Sequence, residues 1–97
     1  MARRIWIVSY DIADPKRLRK VFLTLRGYGD HLQLSVFRCE LVEAERIVLE
    51  SKLKKIIHHE EDQVLFADLG LCDGRGDGTI HTLGRPYTPP ERTALVV

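Results

Sequence analysis

The chain has 97 residues, of which 44% are hydrophobic and 30% charged, with a formal net charge of +1; this is the composition of one small globular domain. No apolar run approaches the ~20 residues needed to cross a bilayer, and the opening MARRIWIVSYD ends its apolar stretch on a charged residue, so it reads as a strand rather than a signal peptide. The near-neutral total excludes an indiscriminate polyanion binder but hides an asymmetry: residues 1–29 carry seven basic and two acidic side chains (net +5), and residues 30–97 carry eight and twelve (net −4).

Taken in chain order, residues 3–12 are rich in Ile, Trp, Val and Tyr and predict a strand. Residues 15–26 predict a helix, with Leu18, Val21, Phe22 and Leu25 at i, i+3, i+4 and i+7 on its inner face. Asp14 before Pro15 is placed to cap it, and Gly27 and Gly29 to stop it. HLQLSVFRCELV, residues 31–42, predicts two extended segments with a bend near residues 33–35. Residues 43–58 predict a second helix, with Ile47, Leu49, Leu53, Ile56 and Ile57 mostly inward and a Glu50–Lys54 pair outward. Residues 62–71 return to a strand. The order β-α-β-β-α-β is that of an α+β, ferredoxin-like antiparallel sheet with both helices on one face.

Residues 1–72 would form this domain. After Leu71 the chain becomes Gly/Pro-rich, and residues 73–97 are expected to be loop followed by an apolar C-terminal extension strand, TALVV. Along the first strand Trp6, Val8 and Tyr10 alternate with Ile5, Ile7 and Ser9, so both faces of the sheet are apolar. Two short helices cover one face only. The other face calls for a second copy of the chain, a homodimer, with TALVV adding a strand to the partner's sheet edge.

Asp11 ends the most hydrophobic strand. One reading is a strand-end aspartate bonded to a neighbouring turn. The other is half of a metal site, completed if two-fold symmetry brings Asp11 near its own copy. Mg²⁺ is often held by one or two carboxylates plus water and phosphate, and such an ion can activate water against a phosphodiester. The block KRLRK presents Lys16, Arg17, Arg19 and Lys20 either as a solvated face or as a phosphate-binding one. Cations at a helix start oppose the helix dipole, which favours a purpose other than stability.

Several lookalikes fail. DGRGDG (73–78) imitates a calcium loop, but Arg75 and Gly84 stand where the third and twelfth ligands are needed. His58 and His59 lack a spaced second ligand pair and fit a helix C-terminus. Asp68 reads as an exposed strand residue or as a second site carboxylate. Cys39 and Cys72 form no C-x-x-C pair, which points to free thiols in a reducing cytoplasm.

Three pieces together, YDIADPKRLRKV (10–21), GYGDHLQLSVFRCEL (27–41) and DQVLFADLG (62–70), resemble the small CRISPR-associated adaptation protein of the second Cas family, partner of the Cas integrase. The resemblance runs over about residues 3–71 and extends to LGRPY (83–87); its most specific elements are the upstream Tyr–Asp and the Q-x-S-V-F run from Gln33 to Phe37. It implies a homodimer that bridges two integrase dimers and holds double-stranded DNA during spacer acquisition. Members are also described as metal-dependent endonucleases acting on DNA or on RNA, single-stranded RNA included. Asp11 matches the family's metal ligand, contributed once by each subunit to one shared Mg²⁺ or Mn²⁺. Arg19 and its neighbours match the basic helix start, and Phe37 the aromatic of S-V-F, a nucleic-acid contact. His31 stands where members often carry Arg, so any phosphate contact there would depend on pH. The competing functions are a toxin-type ribonuclease of the same fold and a dimeric module without catalysis.

Overall fold

The computed structural model describes residues 2–72 and 80–86. The expected loop at 73–79, and with it the calcium-loop lookalike, and the C-terminal strand within 87–97 lie outside these residues. Six elements follow in order: β1 (Arg4–Asp11), α1 (Pro15–Arg26), β2 (Gly29–Gln33), β3 (Val36–Leu41), α2 (Glu43–Ile56) and β4 (Gln63–Leu71). They form one four-stranded antiparallel sheet in the order β2-β3-β1-β4. This is the ferredoxin-like arrangement, and the expected fold class is borne out.

The ends of α1 follow from its flanking residues. The Asp14 carboxylate accepts from the Lys16 and Arg17 amides, both at 3.0 Å, with Pro15 supplying the first helical position. At the far end the Gly27 and Tyr28 amides turn back onto the Thr24 and Leu25 carbonyls at 3.1 and 2.8 Å. Gly29 serves the sheet instead: a β-carbon there would run into the Arg38 carbonyl and the Cys39 sulfur of the neighbouring strand. At the start of α2, Glu45 reaches back to accept from the Val42 amide at 3.0 Å.

The core lies between the helices and one face of the sheet. Val8 and Tyr10 of β1 and Phe37, Cys39 and Leu41 of β3 meet Val21 and Leu25 of α1 and Leu49 and Leu53 of α2. The pairing Ile5↔Glu40, Ile7↔Arg38 and Ser9↔Val36 sends the alternate residues to the opposite, open face. There Ile5 is fully buried, whereas Leu65 of β4 is 50% exposed. A register shift between Ile5 and Trp6 makes β4 bulge at Leu69, so that Gly70 and not Leu69 lies opposite Ile5.

Three details of the sequence reading are corrected. Ile47 points outward at 53% exposure, because Leu49 and Leu53 already fill the space over the sheet. Glu50 pairs with Arg46 at 2.7 Å, one turn before it, and not with Lys54. Leu18 is 39% exposed and so only partly inward, while the neighbouring Arg17 is engaged by Asp62. Among the described residues no helix is long and apolar enough to cross a membrane.

Candidate nucleic-acid interface

The end of β1 and the start of α1 meet at one edge of the molecule. The final β1 residues are held from two sides. The Tyr10 amide donates to the Ser35 carbonyl at 3.1 Å, the Tyr10 hydroxyl to the Leu34 carbonyl at 3.2 Å, and Asp11 lies opposite Gln63 of β4. Burial raises the Tyr10 phenol above its ordinary value, so it stays a donor. With its backbone fixed in this way, the Asp11 side chain stands exposed. It makes no hydrogen bond or ion pair among the described residues, so the bonded strand-end reading finds no partner there.

The basic block that follows does not behave as a unit. Lys16, Arg19 and Lys20 are exposed and form no ion pair among the described residues, and the first turn of α1 contains no acidic side chain. Arg17 differs. Its Nε donates to Asp62 Oδ2 at 2.8 Å, and its Nη2 to Asp62 Oδ1 at 3.2 Å and Glu61 Oε1 at 3.1 Å. The Asp62 side chain is completely shielded from solvent and also accepts from the Ala13 amide at 2.9 Å and the His58 amide at 2.8 Å. The Arg17 guanidinium, seconded by these two amides, holds the Asp62 carboxyl far below the usual carboxylate range. Asp62 in turn raises the Arg17 pKa. Both groups remain charged across the physiological range.

Sequence reasoning missed Asp62. It stood as the first residue of the predicted strand 62–71, and no local spacing links it to Arg17, 45 positions away. Phe37 is a plain correction: it is fully buried, with ring centroids 5.6 Å from Phe22, 4.9 Å from His31 and 6.3 Å from Tyr10. A ring with no accessible face cannot stack on a base. The signal was present, since Phe37 shares parity with Cys39 and Leu41.

The remaining candidates fall into structural roles. His31 is exposed, lies edge-on to Phe22 at 5.1 Å, and places Nε2 3.3 Å from the Leu34 carbonyl. Asp68 takes both contacts of the Arg4 Nε, at 3.0 and 3.1 Å, together with the Gly70 amide, and Arg4 holds its carboxyl below the ordinary value. It is therefore the exposed strand residue and not a second site carboxylate. His59 places Nε2 3.3 Å from the Lys54 carbonyl, in the expected position at the end of α2. Both thiols are free; burial pushes the Cys39 thiol up to about 12. Among the described residues no group of three His, Cys, Asp or Glu side chains could hold a metal ion within one chain. Within one chain the open Asp11 carboxylate therefore stands without a cluster of ligating side chains around it.

Residues 4–73 match the family model described as CRISPR associated protein Cas2. A protein of Rhodospirillum rubrum named CRISPR-associated endoribonuclease Cas2 1 is 44% identical over 99% of this chain and 93% of its own length. One of Geobacter sulfurreducens, named CRISPR-associated endoribonuclease Cas2, is 39% identical over 96% and 97%. Among solved structures, Streptococcus pyogenes Cas2 at pH 6.5 superposes with a TM-score of 0.72 at 33% identity, covering 82% of this chain and 99% of its own. A hypothetical protein from Thermus thermophilus does so with a TM-score of 0.76 at 28% identity, covering 91% and 99%.

Proposed function

This chain belongs to the Cas2 family of CRISPR-associated proteins, and from that premise we propose that it works as a homodimer that holds double-stranded DNA during spacer acquisition and links the integrase dimers that insert it. The observation that carries this reading is the trio Lys16, Arg19 and Lys20, exposed and without an ion pair among the described residues, at a helix start whose first turn carries no acidic side chain beyond the Asp14 cap. Cations so placed oppose the helix dipole, and a polyphosphate backbone offsets that cost. Such contacts position a duplex without reading its sequence.

The dimer reading is supported by the open face of the sheet. Ile7, Val36, Leu65 and Ala67 lie on it with no helix above them, and a second copy would bury them. A face-to-face pair would also set two Asp11 carboxylates, one from each protomer, on the same side. Together they would hold one Mg²⁺ or Mn²⁺, which when bound supplies positive charge and a more acidic water. The chain's own part is then to present Asp11 on a backbone fixed by Tyr10 and Gln63, while Lys16, Arg19 and Lys20 hold phosphates nearby.

The relatives' names favour a second reading, endoribonuclease activity, and the open carboxylate of Asp11 is the observation that would make such activity metal-dependent. It ranks second because the end of β1 offers one carboxylate per chain, with no cluster of ligating side chains around it among the described residues. Two experiments test the pair. Reversing Lys16, Arg19 and Lys20 to Glu should weaken duplex binding and reduce the slope of log affinity against log salt by about three; an unchanged slope would refute the basic-helix reading. A pull-down with the products of adjacent genes should recover an integrase, with duplex DNA strengthening the capture. Recovery of an antitoxin instead would support the toxin-type ribonuclease.

A further inference from the structure

The most heavily bonded side chain at this edge is not one of the residues facing solvent. The Asp62 carboxylate is fully shielded and gathers donors from three separate pieces of chain: the Ala13 amide from the β1–α1 loop, Nε and Nη2 of Arg17 from α1, and the His58 amide from the turn after α2. That turn is itself closed by the Glu61 and Asp62 amides on the His58 carbonyl, at 3.1 and 2.9 Å. The next residue, Gln63, opens β4 and is the register partner of Asp11. Between Asp11 and α1 the chain is thus held at Ala13 by Asp62 and at the cap by Asp14.

Charge points the same way. A phosphate approaching Arg17 meets a guanidinium already compensated by two carboxylates, Asp62 and Glu61. Lys16, Arg19 and Lys20 present no such screen among the described residues. Arg17 also holds Asp62 through a two-point contact that a lysine, as a single-point charge, cannot reproduce.

We propose that Arg17 and Asp62 form a clamp that fixes Asp11 and the free cations of α1 relative to one another, so that Arg17 is a positioning residue of this site and not a phosphate contact. The proposal rests on the reading of α1 as the phosphate-facing helix, and the test separates the two. Arg17→Gln, Arg17→Lys, Asp62→Asn, the double variant Arg17→Gln/Asp62→Asn and, for reference, Arg19→Gln would be titrated with a short DNA duplex across a salt series. Arg19→Gln should lower the salt slope by about one. Arg17→Gln should leave the slope at the wild-type value while weakening binding about tenfold, within the range of coupling between contacting residues. Arg17→Lys should fare as badly, and the double variant no worse than either single change. A slope reduced by about one in Arg17→Gln and restored in Arg17→Lys would overturn the clamp and return Arg17 to the phosphate backbone.

A second readout needs no nucleic acid. Amide hydrogen exchange at Ala13 should quicken about tenfold in Arg17→Gln and in Asp62→Asn, as either loosens the grip. Unchanged exchange in both would refute the clamp whatever the binding data show. Wild-type protein that ignores the duplex at every salt concentration would instead sink the nucleic-acid reading and leave the exchange measurement to decide the clamp.

Discussion

Two carboxylates at one end of the sheet, separated by a single register step, have opposite fates. Asp62, just before β4, is shielded from water and accepts from an arginine and two backbone amides. Asp11, across from Gln63, is exposed and makes no bond among the described residues. The same division runs through the neighbouring cations: Arg17 is consumed by the fold, while Lys16, Arg19 and Lys20 are left outside it. A buried charge must be paired or it is costly, so Asp62 and Arg17 are explained by one another. Exposed charges carry no such obligation, and their concentration at an unfavourable helix end calls for something outside the chain.

The comparison breaks most severely if the used side is damaged. Phe37 belongs to that side, wedged among Phe22, His31 and Tyr10. Phe37→Ala should cost about 3–5 kcal/mol by urea unfolding, whereas Phe37→Leu should cost less than about 1.5 kcal/mol. Were Phe37 a nucleic-acid contact, Phe37→Leu would lose binding at nearly unchanged stability. The core assignment instead requires the two quantities to fall together.

Asp62→Ala comes next, with an expected fall in Tm on the order of 10 °C, since it strands the buried part of Arg17 and two amides. The pH dependence sharpens the point. The folded pKa of Asp62 is depressed, so its contribution is in place above the ordinary carboxylate value near 4 and is lost as pH falls below it towards the folded value. Wild-type stability should therefore drop more steeply with acid than that of Asp62→Asn, read as urea midpoints from about pH 6 to about pH 2. Parallel curves would mean that Asp62 carries no special charge interaction.

Much of this was legible in the chain and some was not, for identifiable reasons. The bounds of α1 could be read because Asp14–Pro15 and the apolar spacing act within a few residues of each other. The chain order of strands and helices followed from apolar alternation and helical spacing, and the fold class from that order. The role of Asp62 could not be read, because its partners at 13, 17 and 58 meet only after β1, α1 and the turn beyond α2 are in place. Ile47 was misjudged because helical spacing marks an apolar stripe wider than the sheet can cover. Phe37 was misassigned through resemblance, although its own alternation with Arg38 pointed inward. The free carboxylate of Asp11 was the better inference, resting on its lack of a local reason to exist.

Asp11 should show the smallest effect on stability, and that smallness is informative. Asp11→Ala should leave unfolding unchanged within about 0.5 kcal/mol in metal-free buffer, since the side chain is exposed and unbonded. If two copies of Asp11 face each other in the dimer, removing them should also tighten dimerisation slightly by relieving like-charge repulsion. Adding Mg²⁺ should reverse the ranking. An ion bound only by the folded dimer stabilises it by about 2.7 kcal/mol at one hundred times its Kd, so wild-type Tm should rise with Mg²⁺ and that of Asp11→Ala should not. Any Mg²⁺-dependent cleavage should disappear with the same substitution. Equal stabilisation of both proteins by Mg²⁺ would place the ion elsewhere and leave Asp11 with neither a structural nor a metal-binding role.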